Sequence, residues 1–232
     1  MKALPVVKPV ELPLAAPADA TKRFAVSRVF CVGRNYADHA VEMGASGREP
    51  PFFFMKPAQS LFLVTAGQAQ WPYPMATEDC HHEVELVVAM ASGGANLTVE
   101  QANAAIWGYA VGLDMTRRDR QAQMKKEGKS WEIGKAFDAS APITPLVPVE
   151  SVPNLLQQGI SLKVNGQVRQ QGQFDQMIWS VAETIAELSK AWTILPGDLI
   201  YTGTPAGVGP VVRGDVLQAS VPGLPSLELK VA

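Results

Sequence analysis

The strongest chemical pattern in the chain is "HHEVELVV", where Glu83 and Glu85 stand two residues apart. Side chains alternate along a strand, so both carboxylates project from one face. Val84, Leu86, Val87, Val88 and Met90 make this run largely apolar, and two unpaired carboxylates buried there would be costly. A cation between them removes their mutual repulsion. Asp114 ends the run "YAVGLD" and can supply a third oxygen. Three carboxylates with water in the remaining positions suit Mg2+ or Mn2+. A solvated strand face has the same E-x-E spacing, but its neighbours would not be this apolar.

"NYADHAVEMG" places His39 and Glu42 at i and i+3, adjacent on a helical turn. A carboxylate bonded to one imidazole nitrogen orients the ring and raises its basicity, leaving the other nitrogen to activate water. An incidental contact on an exposed helix has the same spacing. The other histidines are His81 and His82. On an extended strand His81 shares the face of Glu83 and Glu85 and His82 takes the opposite one, each either structural or a neighbour of a metal site.

In "DMTRRDRQAQMKKEGKSWEIGKAFD", Arg118 and Gln121 are three apart and can face one ligand, whereas Arg117, Arg120, Lys125, Lys126 and Glu127 read as a solvated face. Lys135 stands apart from the other lysines, between a glycine and an alanine–phenylalanine pair. A lysine beside a cation and a substrate carboxylate stabilises a developing oxyanion. The Gly-rich "YTGTPAGVG" (201–209) can bring backbone N–H groups to a carboxylate. It contains Pro205 and lacks the lysine of a phosphate-binding loop, which argues against nucleotide binding.

These residues need strands and short helices to hold them. Strands are expected at 28–33, at 51–57 between prolines, within 77–90, and at 108–116. "ISLKVNGQVRQQG" (160–172) is two alternating runs around Asn165-Gly166, a hairpin signature. A further strand feeds the Gly-rich loop from 196, and 212–232 reads as a strand pair. A short helix is expected at 35–44, ending at Gly44. Another is expected from Thr98 to Tyr109, with a Thr98–Gln101 capping box. Residues 117–128 read as a charged helix or an extended lid. Residues 177–191 read as an amphipathic helix with Ile178, Val181, Ile185 and Leu188 on one face. Gly44, Gly47 and the Pro50-Pro51 pair flank His39 and Glu42, so a lid that ligand orders is expected there.

The 232 residues are 47% hydrophobic and 18% charged, which excludes global disorder. A net charge of -2 argues against a dedicated nucleic-acid binder or a polybasic membrane-surface protein. Gly (19) and Pro (18) favour many tight turns and a β-rich fold. Cys31 and Cys80 make no disulfide framework and read as reduced thiols. No apolar run is long enough to span a bilayer, and prolines and charges interrupt any signal-peptide core, so a cytoplasmic location is expected. A short lead-in over 1–25 and one catalytic domain over 26–232 are expected.

The order of "CVGRNYADHAVEMG", "KP", "HHEVELVV", "GYAVGLDMTRRDRQ", "GKAFD", "VNGQVRQ" and "DLIYTGTPAGVG" resembles the fumarylacetoacetate hydrolase family, from about residue 26 to the C-terminus. The likeness is to its short bacterial branch of fumarylpyruvate hydrolases and acylpyruvases. It implies an α+β, β-rich fold, a mixed β-roll with a short helical lid, usually a homodimer. It implies Mg2+ or Mn2+ on Glu83, Glu85 and Asp114, a His39–Glu42 dyad in the lid, and Lys135 in catalysis. Arg118, Gln121 and Thr204 then bind substrate, and Arg34, Arg48 and Arg118 are candidates for a distal carboxylate. The implied reaction is metal-dependent hydrolysis of a C–C bond in a 2,4-diketo acid, with fumarylpyruvate as best fit. Alternatives are oxaloacetate decarboxylation or isomerisation of a hydroxy-diene dioate on the same fold, or a non-catalytic module that binds a metal or a carboxylate.

Overall fold

Seven consecutive residues from Val84 to Met90 are buried, and both faces of this strand are covered. Leu86, Val88 and Met90 enter the larger of two hydrophobic clusters, while Val87 and Ala89 enter the smaller, on the opposite face. That double burial is why the run is nearly all apolar rather than alternating. The computed structural model describes residues 8–15, 21–36, 49–65 and 67–232. The expected short helical lid, with His39, Glu42 and Arg48, lies outside them.

The Val84–Met90 strand sits inside an eight-stranded mixed sheet. On one side it pairs antiparallel with Leu199–Tyr201, which pairs parallel with Val29–Gly33 and, beyond it, Phe52–Lys56. On the other it pairs antiparallel with Ile106–Leu113, followed by Ala141–Ile143 and Leu61–Leu63. Val147–Pro148 also pairs with Ile106–Leu113. A five-stranded sheet holds Gly159–Val164, Gln167–Gln173, Val216–Ser220, Leu227–Val231 and Ala69–Trp71. Its hairpin turns at Asn165-Gly166, whose φ angles of 51° and 79° are those the primed turn requires. Cys80–His82 forms a small sheet with Thr116–Arg117 and Gly209–Val211. The larger core contains the one apolar face of Val84–Met90 together with Leu162, Leu217, Leu227 and Leu229 of the five-stranded sheet. The fold is thus β-rich α+β, with four α-helices among the described residues.

Thr98 caps the helix Val99–Ala104, and the reciprocal bonds with Gln101 are both present. The helix ends well before Tyr109, because Ile106–Tyr109 belongs to the strand beside Val84–Met90. Strand pairing and two-sided burial override local helical periodicity there. The helix expected at 177–191 is confined to Val181–Leu188. A Ser180–Glu183 capping box starts it, and the Ile178 N–H donates to Asn35 O instead of continuing a helix backwards. The segment 117–128 is a helix, Arg118–Lys126, rather than an extended lid. Part of the N-terminal stretch is paired, Val10–Pro13 with Arg23–Val26, and Leu12 is buried in the smaller cluster. Both cysteines are free and buried. No helix among the described residues is long and apolar enough to cross a membrane.

Candidate active site

Glu83 occupies the break between Cys80–His82 and Val84–Met90. Its carbonyl accepts the Asp114 N–H at 2.8 Å, and Val84 is in register with Leu113, so Glu83 and Asp114 face each other across two strands. Glu85 lies one pleat further, opposite Gly112. One oxygen from each of the three buried carboxylates lies within 4.8 Å of the others. The convergence expected from the E-x-E spacing is therefore present, although Glu83 is at a strand break.

Three cations compensate the cluster. Lys135, on the short helix Glu132–Lys135, donates from Nζ to Glu83 Oε2 (2.8 Å), Asp114 Oδ2 (2.6 Å) and Thr116 Oγ1 (2.7 Å). Burial, the largest influence on its ammonium, works to lower its pKa. Asp114 and Glu83 together outweigh that and hold it above the ordinary value, so Lys135 is charged at neutral pH. Arg118 donates to Glu83 Oε1 and Gln121 Oε1, both at 2.5 Å, which joins the Arg–Gln pair to the acid cluster. Lys56 is buried with Nζ 2.8 Å from Asp114 Oδ1 and donates to the carbonyls of Met115 and Lys135.

Among the described residues, Glu85 receives no lysine or arginine directly. Its Oε2 accepts the Gly203 N–H at 2.8 Å. Burial, then repulsion from Asp114 and Glu83, pushes its carboxyl well above the usual carboxylate range. Asp114 Oδ1 is close to Lys56 but has no aligned hydrogen-bond partner among the described residues. An all-oxygen donor set with one poorly satisfied oxygen and one carboxyl held at high pKa fits a hard divalent cation such as Mg2+ or Mn2+.

Gly203 has a φ of +97°, and a Cβ there would lie 2.7 Å from Asn35 Cβ. Asn35 donates to the carbonyls of Trp179 and Thr202, so it cannot move away without losing buried bonds. Gly203→Ala is expected to destabilise the fold by at least about 1–3 kcal/mol. It should also release the N–H from Glu85. Urea unfolding measures the first effect; an unchanged midpoint contradicts the close packing.

Arg34, Glu83, Glu85, Asp114, Arg118, Gln121, Lys135 and Thr204 all line one cavity, with Phe52, Phe54 and Trp131 forming an aromatic wall. Trp131 meets Phe52 edge-on at 5.1 Å between centroids. Arg34 has a left-handed φ of 58°, its guanidinium lies 5.8 Å from the Phe52 ring centre, and its buried Nε has no partner among the described residues. His81 is bonded to Asp79 and His82 to Gln170, and burial lowers both pKa values. Neither belongs to the acid cluster. Of the residues expected to be solvated, Arg117 covers the Phe137 ring at 4.3 Å and Arg120 donates to the Ala76 carbonyl.

Sequence reasoning missed Lys56, Thr116, the aromatic wall and Gln170. Lys56 had a usable signal, since a lysine ending an apolar strand between prolines needs a buried anion. Lys135→Met tests the ion network. Removing one member of a buried charge set costs about 3–5 kcal/mol, so the variant should lose that much stability in chelator. It should recover more on Mn2+ addition than the parent does. Equal Mn2+ stabilisation in both, measured by urea unfolding, contradicts a shared role for Lys135 and the cation.

The fumarylacetoacetate (FAA) hydrolase C-terminal family matches residues 28–232. A crystal structure of fumarylpyruvate hydrolase from Pseudomonas aeruginosa, in complex with Mn2+ and pyruvate, is 49% identical. It superposes with a TM-score of 0.95 over 100% of this chain and 99% of that one. A fumarylpyruvate hydrolase from a Ralstonia species is 44% identical over 184 residues, 79% of this chain and 93% of its own length. A mitochondrial oxaloacetate tautomerase from Bos taurus is 41% identical over 203 residues, 88% of this chain and 90% of its own. With the family match spanning most of its length, the chain belongs to the fumarylacetoacetate hydrolase family.

Proposed function

We propose that the protein hydrolyses the C3–C4 bond of a 2,4-diketo acid, with fumarylpyruvate as substrate and fumarate and pyruvate as products. The observation that carries this reading is the full-length likeness to a fumarylpyruvate hydrolase that holds Mn2+ and pyruvate, one of the two expected products. The cavity supports it, because three clustered carboxylates, a charged lysine and arginines beside an aromatic wall suit an anionic keto acid.

Glu83, Glu85 and Asp114 hold the divalent cation, which when bound polarises a keto oxygen of the substrate. Lys135, kept charged by Glu83 and Asp114, stabilises through its charge the oxygen that becomes negative as the pyruvate half leaves as an enolate. Arg118 and Gln121 position the acyl half, and Arg34 above Phe52 receives its distal carboxylate. His39, oriented by Glu42, takes a proton from the water that attacks the distal carbonyl. Thr204 binds the keto-acid end.

Oxaloacetate chemistry is the second reading, supported by the oxaloacetate tautomerase relative at similar identity. The test is turnover of fumarylpyruvate, acetylpyruvate and oxaloacetate with Mg2+ or Mn2+, with products quantified. Equal amounts of fumarate and pyruvate, and the highest kcat/KM for fumarylpyruvate, are expected. Turnover of oxaloacetate alone replaces the first reading with the second, and no turnover of any of them favours a binding module.

A further inference from the structure

Gln170 is buried in the strand Gln167–Gln173, outside the lining of the cavity, yet its amide bonds four groups around it. Oε1 accepts from the Val84 N–H (3.1 Å) and meets His82 Nδ1 at 2.8 Å. Nε2 donates to Thr204 Oγ1 (2.7 Å) and to the Pro205 carbonyl (2.8 Å). Two of these partners are backbone groups of fixed polarity. A backbone N–H only donates and a carbonyl only accepts, so Val84 and Pro205 settle which end of the amide is which. The other two roles follow. His82 carries its proton on Nδ1, and Thr204 Oγ1 is an acceptor toward Gln170.

A hydroxyl has one proton and two lone pairs. Thr204 spends a lone pair on Gln170, and its proton has no acceptor among the described residues. Thr204 lines the cavity with Glu83 and Glu85. The same amide joins the 204–205 loop to Val84, which lies between those two carboxylates.

We propose that Gln170 is a positioning residue that sets the Thr204 hydroxyl as a hydrogen-bond donor toward an anionic oxygen of the bound keto acid. This rests on the functional reading above. It adds the residue that fixes the polarity and place of a substrate contact without touching substrate.

The test is a double-mutant cycle on pyruvate binding to the Mn2+-loaded protein, read by calorimetry. Thr204→Val removes the donor and is expected to weaken pyruvate about 10-fold or more, in line with a hydrogen bond to a charged group. Thr204→Ser keeps the hydroxyl and should bind within about 3-fold of the parent. Gln170→Met should weaken pyruvate by several fold in the parent, but by less than about 2-fold when Thr204 is already valine. If Gln170→Met does not fold, Gln170→Glu takes its place in the cycle, because it keeps the acceptors for His82 and Val84. Unchanged binding in Thr204→Val overturns the proposal, and so does an undiminished Gln170 effect in the valine background. A parent protein that binds no pyruvate with Mn2+ overturns the functional reading as well, which separates the two failures.

Discussion

Glu85→Ala should remove metal-dependent turnover and leave a folded protein. The carboxylate is buried, held at a raised pKa by burial and by Asp114 and Glu83, and among the described residues is anchored only by the Gly203 N–H. It therefore contributes little to the metal-free fold, and alanine also removes the like-charge repulsion. Loss of a group that merely supports a metal ligand costs about 10–100-fold in affinity, so loss of a ligand itself should cost at least about 100-fold. Thermal melts with chelator and with Mn2+ measure this. The variant should melt near the parent in chelator and gain far less on Mn2+ addition. Full activity after chelation, or equal Mn2+ stabilisation of the two proteins, would falsify the assignment.

His39→Ala should separate hydrolysis of a diketo acid from decarboxylation of oxaloacetate in the same cavity. A positioned base is worth on the order of 10²–10⁴ in rate, so hydrolysis of fumarylpyruvate should fall by that factor. Decarboxylation of oxaloacetate consumes no activated water. Its enolate still has Lys135 at hand, so that side activity should survive better. Glu42→Gln should act in the same direction more weakly, since it removes the orienting charge and can keep a hydrogen bond. Parallel loss of both activities in both variants, with Mn2+ still bound, means that the dyad shapes or closes the cavity instead of activating water.

The acid cluster was legible because its signal is local: two glutamates at strand spacing in an apolar run, and an aspartate where the next long strand ends. The Thr98–Gln101 and Asn165-Gly166 signals were legible for the same reason, each lying within a few residues. The end of the helix Val99–Ala104 was not, since Ile106–Tyr109 fits a helical stripe and becomes strand only through pairing with Val84–Met90. The partners of Lys56 and Gln170 lie further out of reach. Lys56 meets its acid 58 residues away in sequence, at Asp114, and Gln170 joins His82 to Thr204 across separations of 88 and 34 residues. Nothing in the local pattern of "RQQG" distinguishes Gln170 from Gln171.

Cys31 is buried on the strand Val29–Gly33, close enough to feel both Asp114 and Glu85. Burial pushes its thiol pKa far up, and the two acids add to the effect. The sulfur is therefore held as the neutral thiol, while the soft ligand and the nucleophile are both the thiolate. A thiolate beside three carboxylates would turn a hard site into one that competes for zinc or copper(I), which thiolates favour. Keeping Cys31 protonated leaves the choice of ion to oxygen alone. It also makes this cysteine a poor target for peroxide, although it lies beside a highly charged cavity.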